Sequence, residues 1–238
     1  MTKDGYYVQM HIHTSETSAC GHASGREIAR ACKDAGYDAI VITDHFMNAN
    51  ISCPKKASWG EKVEHLFKGY RAAKAEGDKI GLIVLKGWET YTDGPEYLTY
   101  GLDEAFLLEN PDIADVGSTE YLQRVRAAGA YVAHAHPYRK RFYIPEFTPD
   151  TKRVDAFETF NGAHKDPSFD AHAYAEAKKR GLYMIAGSDA HDIDGVARGA
   201  MRFPRPIADM AGLIAALRAR EGEIVERLDE RGRIEAGG

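Results

Sequence analysis

Short apolar runs alternate with stretches of helical periodicity along most of this chain. Runs at 6–12, 39–43, 80–88, 97–102, 130–135, 154–160 and 182–186 have the length and β-branched content of buried strands. Between them, the spacing of apolar positions predicts helices near 25–35, 60–76, 118–128, 168–180 and 207–221. The first opens on Ser24-Gly25-Arg26-Glu27, which has the spacing of a capping box. The pattern is weakest over 97–115. Strands and helices in alternation predict a mostly parallel sheet, either doubly wound or closed into a barrel. In both architectures, functional groups gather beyond the carboxyl ends of the strands.

No fixed-period repeat or low-complexity linker interrupts the pattern, so one domain over 1–238 is expected, with a C-terminal helix and tail from about 207. The formal net charge is −5, and no basic run could track a nucleic-acid backbone. A phosphate-bearing substrate would therefore have to be neutralised locally, by metal ions or a few placed arginines. No apolar stretch approaches the ~20 residues that span a bilayer. The start, MTKDGYYVQM, lacks the apolar segment of a secretory signal, so cytoplasmic residence is the expectation. Cys20, Cys32 and Cys53 show no paired spacing and predict no disulfide framework; Cys32 reads as a small buried hydrophobe within a helix.

The placement of the histidines is decisive. Of ten, His11, His13, His45, His136 and His191 fall at or just past predicted strand ends, as do Glu89 and Asp189. In His11-Ile12-His13, alternation puts both imidazoles on one face, able to chelate one ion or simply to sit exposed. Asp44-His45 can set an imidazole on a metal with the carboxylate orienting a neighbouring ligand, or Asp44 can cap the next helix. Glu89 ends a buried run, where a carboxylate between two metals or a solvated loop would each account for it. In His134-Ala135-His136-Pro137, alternation again puts both histidines on one face, and Arg139 follows within reach of an anionic substrate. Asp189-Ala190-His191 can converge on one centre. His65 and His172 lie in polar helical stretches and read as surface residues.

Only His, Asp and Glu recur at five strand ends. Imidazole mixed with carboxylate suits Zn²⁺, Mn²⁺ or Fe²⁺ rather than Ca²⁺. Seven ligands exceed what one such ion takes, so two or three divalent ions are expected, activating water for hydrolysis.

These motifs resemble the polymerase and histidinol phosphatase (PHP) domain family. Its signatures look like His11-x-His13, Asp44-His45, His136-Pro137 and Asp189-x-His191, in the family's order, and Glu89 looks like its bridging glutamate. The resemblance covers roughly residues 6–200. It implies an α/β fold, a distorted (β/α)7 TIM-like barrel binding two or three Zn, Mn or Fe ions at the C-terminal strand ends. It further implies His11, His13, Glu89 and Asp189 around one ion, Glu89 and His136 at a second, and His45 and His191 at a third. Related sequences supply one more ligand after the first motif; here Cys20 or His22 stands nearest that position. Some take a histidine from the region of Glu158–His164, where His164 or Asn161 could serve.

The implied activity is hydrolysis of a small-molecule phosphate monoester, histidinol phosphate being one specific substrate. Arg139 and Arg198 are the candidates for phosphate oxygens; His191, His45 or Asp189 are the candidates for proton transfer to the leaving group. Two rivals stand beside it. One is an amidohydrolase or lactonase, disfavoured because no lysine occupies a strand end where it could be carbamylated; Lys86 lies inside its run. The other is a non-catalytic, metal-stabilised accessory domain. Loops 46–58 and 140–151, with Met47, Trp59 just beyond, Arg141, Phe142 and Tyr143, are expected to set specificity.

Overall fold

A computed structural model describes residues 5–142 and 144–228; Tyr143 and the tail from 229 lie outside the described residues. In chain order the elements are β1 (Tyr6–Gln9), α1 (Gly25–Asp34), β2 (Ala39–Ile42), α2 (Trp59–Leu66), α3 (Lys68–Ile80), β3 (Ile83–Tyr91), β4 (Glu96–Tyr100), α4 (Glu104–Glu109), α5 (Ser118–Ala127), β5 (Tyr131–Ala135), β6 (Ala156–Asn161), α6 (Ser168–Arg180), β7 (Tyr183–Gly187), β8 (Arg198–Phe203), α7 (Met210–Arg218) and β9 (Glu223–Arg227). The nine strands form one sheet in the order β7-β6-β5-β4-β3-β2-β1-β8-β9.

This is the expected barrel, distorted in two ways. First, β4 runs antiparallel to both β3 and β5, whereas β1, β2 and β3 pair in parallel, as do β5, β6 and β7. The cause is local. Asp93 and Gly94 take positive φ (53° and 121°), and Thr92 N donates to Pro95 O at 2.9 Å, so β3 and β4 form a tight hairpin with no crossover helix. Second, the cylinder closes only at its mouth. There Ile12 bridges Ala190 in parallel, His13 N donates to Ala190 O at 3.0 Å, and Asp189 N donates to His11 O at 2.8 Å. Further down, β8 pairs antiparallel with β1, from Tyr6↔Phe203 to Val8↔Met201, and β9 lies outside it. Neither β8 nor β9 stood out in the sequence pattern.

The barrel interior is apolar, with Val8, Met10, Val41, Leu85, Leu98 and Ile185 at its centre. α7 caps the end opposite the mouth: Leu213 and Leu217 join this core, and Arg218 donates to Gly129 O just before β5 begins. Outside the sheet, α1 and α3 bury Ile28, Ala29 and Ala73 against Ile40 and Ile42. An aromatic layer of Phe46, Phe67, Trp88, Tyr97 and Phe157 covers another part of the sheet, tied by the Tyr121 hydroxyl, which lies 2.7 Å from Trp88 Nε1, Thr90 Oγ1 and Thr99 Oγ1.

Most helices match the sequence pattern. Ser24 and Glu27 form the anticipated capping box, and Ser58 with Glu61 forms another at the start of α2. The single helix expected over 60–76 is two, because the chain leaves helical geometry at buried Phe67 (ψ 14°). Cys32 is buried in α1 as expected. His172 is exposed, but His65 is buried rather than on the surface, its Nε2 2.9 Å from Ser52 Oγ. Among the described residues, no helix is long and apolar enough to cross a membrane.

Candidate metal centre

Every strand-end residue singled out by the motifs arrives at the barrel mouth. After β1 the chain stays extended, and buried Gln9 patches the ladder: its Oε1 accepts from His11 N (3.1 Å) and Ser188 N (2.9 Å). Ile12 joins the outer core, while His11 and His13 face each other inside with 3.1 Å between their Nε2 atoms. Asp44 caps no helix. It accepts from Thr14 N, Thr14 Oγ1 and Ser18 Oγ, each at 2.7 Å, and Ser18 Oγ lies 3.2 Å from His13 Nδ1. The orienting role read for Asp44 is the one the fold builds, reaching an imidazole through a serine.

Glu89 sits at the centre. Its Oε1 is 3.0 Å from His136 Nε2 and 3.3 Å from His11 Nε2; its Oε2 is 3.0 Å from His45 Nδ1 and 3.4 Å from His13 Nε2. Asp189 Oδ1 lies 3.2 Å from His13 Nε2 and 3.4 Å from His11 Nε2. His191 gives Nδ1 to the Asp189 carbonyl at 2.9 Å, and its ring stacks 4.3 Å from that of His13. Among the described residues, four triads of candidate ligand atoms lie within 4.8 Å of one another: His13-His45-His191, His11-His13-Asp189, His11-Glu89-His136 and His45-Glu89-Glu96.

His136 and Asp189 both hold positive φ, at 30° and 49°, a conformation that costs energy outside glycine and clusters at functional sites. At His136 it also breaks the strand alternation, which corrects the expectation that His134 shares its face. His134 is instead buried between Tyr97 and Phe147, with ring centroids 4.8 and 5.7 Å away.

Two site residues, Glu96 and Glu158, were not singled out by the motif reading. Glu96 is opposite Tyr91 in the β3–β4 hairpin, two positions from the Leu98 that pairs with Glu89, so it shares the Glu89 face. Recognising Asp93-Gly94 as a hairpin turn would have found it. Glu158 sits 2.9 Å from His11 Nδ1, and Asn161 Nδ2 donates to Glu158 Oε2 at 2.9 Å. Residues three apart share a face here because β6 bulges between Glu158 and Phe160. Asn161, named beside His164 as an alternative ligand, is thus engaged with the Glu158 carboxylate.

The buried carboxylates of the cluster need balancing charge. Asp44, Glu89, Glu96, Glu158 and Asp189 are all buried, and the guanidinium facing them is that of Arg139, ion-paired with Asp189. Burial pushes the Glu89 and Asp189 carboxyls up, but neighbouring His11, and for Asp189 above all Arg139, hold them well below the usual range. Burial, then the charge of Glu89, pushes Glu96 up to about 8. Burial, with the charges of His45 and His191, keeps His13 well below the normal imidazole value, so it supplies no compensating charge. Burial opposes protonation of His11 and His45 as well, but contacts with Glu158 and Asp189 for His11, and with Cys20 and Glu89 for His45, hold both imidazoles well above the normal value, so with Arg139 they balance the buried carboxylates. His45 Nδ1 makes no aligned hydrogen bond despite its 3.0 Å approach to Glu89. Imidazoles crowded among carboxylates, with ligand atoms within 4.8 Å of one another, fit divalent ions of the Zn, Mn or Fe type.

A cavity of about 660 Å³ opens above the cluster, lined by Cys20, His45, Glu89, Glu96, Asp189 and His191 and also by Tyr91, Arg139 and Arg141. Burial raises the Cys20 thiol, but hydrogen bonds with His191 and His45 outweigh it and bring it down to about 6. Exposed His22 contributes its backbone N–H, to His191 O at 2.7 Å. His164 stands beside the cluster, its Nδ1 2.8 Å from Asp170 Oδ1 and its Nε2 3.1 Å from Arg139 Nε. Arg198 begins β8, exposed, and does not line the cavity. Of the residues expected to set specificity, Arg141 lines it and Phe142 is exposed, but Trp59 donates to Leu107 O and packs with Met47 in the aromatic layer. Tyr143 is outside the described residues. Lys86 pairs with Glu104 and lies against the Phe67 and Tyr70 rings, away from the cluster.

Residues 170–221 match the profile of a family described as PHP-associated. No curated protein sequence matches the chain. Among solved structures, a two-domain protein from Bacteroides vulgatus containing a predicted PHP-like metal-dependent phosphoesterase superposes with a TM-score of 0.66 at 16% identity, over 93% of this chain. This chain spans 65% of that protein's length. A putative metal-dependent phosphoesterase from Bifidobacterium adolescentis superposes over 90% of this chain and 96% of its own at 14% identity, TM-score 0.53. An amidohydrolase from Chromobacterium violaceum with bound sulfate does so over 92% and 97% at 15%, again with a TM-score of 0.53. At these identities the likeness is one of fold, and with the family match it supports the PHP resemblance carried by the motifs.

Proposed function

We propose that this chain is a PHP-type, divalent-metal-dependent phosphoesterase acting on small-molecule phosphate monoesters. The observation that carries this reading is the meeting of seven dispersed strand-end side chains, with Glu89 at their centre, under a cavity that also holds the Arg139 guanidinium. His11, His13, Glu89 and Asp189 would hold one ion, Glu89 with His136 a second, and His45 with His191 a third, with Cys20 hydrogen-bonded to the last pair. Ions held there supply Lewis acidity, activating water and offsetting phosphoryl charge.

The chain's own residues do the rest. Arg139 presents donors to a phosphate oxygen at the cavity floor, where a charge-assisted bond is strong because water is scarce. His191 Nδ1 is held by the Asp189 carbonyl, which leaves Nε2 to hold a cation or hand a proton to the leaving oxygen. Glu158 fixes the His11 ring from behind, and Asp44 fixes His13 through Ser18. A cavity of about 660 Å³ suits a small organic phosphate; histidinol phosphate belongs in the substrate panel.

The test is elemental analysis of protein purified without chelators, followed by assay of p-nitrophenyl phosphate and an ester panel with Mn²⁺ or Zn²⁺. Two or more equivalents of metal with phosphate release is the expected result. Metal without release of any phosphate, but with turnover of amides or lactones, would favour the amidohydrolase reading that the Chromobacterium neighbour suggests. The engagement of Lys86 with Glu104, away from the cluster, weighs against a carbamylated-lysine variety of that chemistry. Failure to bind metal after reconstitution would defeat the proposal.

A further inference from the structure

Arg139 is the one guanidinium in the cavity whose side chain is nearly all buried, 9% exposed, and a buried arginine must be held on every side that does not face its ligand. One terminal nitrogen is taken by Asp189. Its Nε lies 3.1 Å from His164 Nε2, and an N–H can point at that nitrogen only if the imidazole is neutral there and accepts. Asp170 Oδ1 lies 2.8 Å from the opposite ring nitrogen, Nδ1, so the Nδ1–H tautomer satisfies both contacts. Asp170 comes from the first turn of α6 and also accepts from Asn161 N at 3.2 Å, anchoring it to the end of β6. Phe169 meets the His164 ring edge-on at 5.4 Å and limits its rotation. No motif of the metal cluster calls for this chain of contacts, and it ends on the residue that faces the substrate.

We propose that Asp170 and His164 are positioning residues that aim Arg139 at the substrate's phosphate, with His164 serving the arginine rather than a metal ion. The inference rests on the phosphoesterase reading for the identity of the anion, though not for the geometry. Through Nε and one terminal nitrogen, two separate elements fix the guanidinium plane, so its remaining donors form a fork toward the cavity. Without His164, Arg139 keeps its charge and its pairing with Asp189 but can swing about that single contact. The loss should therefore fall on anion affinity and leave metal content alone.

The experiment is titration of metal-loaded protein with inorganic phosphate by calorimetry, alongside elemental analysis and thermal melting, in wild type, His164→Ala, His164→Gln, Arg139→Ala and the Ala double variant. Expected is a loss of phosphate affinity of about 10–100-fold in His164→Ala. Little further loss should appear when Arg139→Ala is added, and substantial recovery should appear in His164→Gln, whose amide oxygen can again accept from Nε. Metal content should match wild type throughout. Loss of an equivalent of metal in His164→Ala would overturn the proposal and make His164 a ligand. So would unchanged phosphate affinity in His164→Ala, or losses that add independently in the double variant with only the melting temperature lowered. Wild-type protein that binds phosphate but hydrolyses no ester would defeat the phosphoesterase reading and leave this one standing; wild type that binds no phosphate would defeat both.

Discussion

Asp189 concentrates three demands in one residue: it touches His11 and His13, pairs with Arg139, and holds φ at 49°. Aspartate and asparagine are the non-glycine residues that tolerate this backbone best, so Asp189→Asn removes the charge without disturbing the turn. Arg139 would then be buried without its ion-pair partner, keeping only the charges of Glu89 and Glu96 nearby, and stability of the metal-free protein should fall by about 3 kcal/mol in a denaturant titration. Metal content should drop by at least one equivalent in the same variant; unchanged values of both would show that Asp189 neither balances the arginine nor binds an ion. The candidate ligands were legible from sequence because an imidazole or carboxylate at the end of an apolar run has few structural reasons to be there. Glu96, Glu158 and the divergence of His134 from His136 were not. Each depends on a backbone irregularity — a hairpin, a bulge, a positive φ — that shifts which residues share a face.

At the scale of elements, the helices that support the mouth are held close by glycine. A Cβ at Gly69, in the first turn of α3, would collide with Thr14 Oγ1 and Asp44 Oδ2. Gly69→Ala should therefore destabilise the protein by about 1–3 kcal/mol despite alanine's better helix propensity, and weaken metal binding through the displaced Asp44. Gly60 in α2 is the control, since nothing lies within 4 Å of a Cβ there. Gly60→Ala should raise stability by about 0.4–1 kcal/mol. Equal effects from the two substitutions, read by thermal melting, would show that the contact under Asp44 is not tight. Element positions were largely readable because apolar periodicity and capping residues agreed, as at Ser24 and Glu27. Strand direction was not: β4 looks like its parallel neighbours until the Asp93-Gly94 turn is taken into account.

For the whole molecule, ions bound only in the folded state add to its stability by mass action, about 4 kcal/mol when present at a thousand times their dissociation constant. At roughly 2–4 °C per kcal/mol for a chain of this size, stripping the metal should lower the melting temperature by on the order of 10 °C. Scanning calorimetry with and without a chelator checks this, and identical melts would mean that the cluster carries no ion in the fold. The barrel closes at its mouth between the segment after β1 and the segment after β7, and the Ser188–His11 contact there joins residues 177 apart in sequence. During translation, the first histidine pair emerges from the ribosome early and meets Glu89 from β3, but must wait for nearly the whole barrel before the Asp189 carboxylate arrives. If the cluster holds ions as proposed, their capture is a late event that reports on completion: a nascent chain halted before β7 has only fragments of the centre. On the proposed function, hydrolysis would be withheld until the scaffold around it is finished.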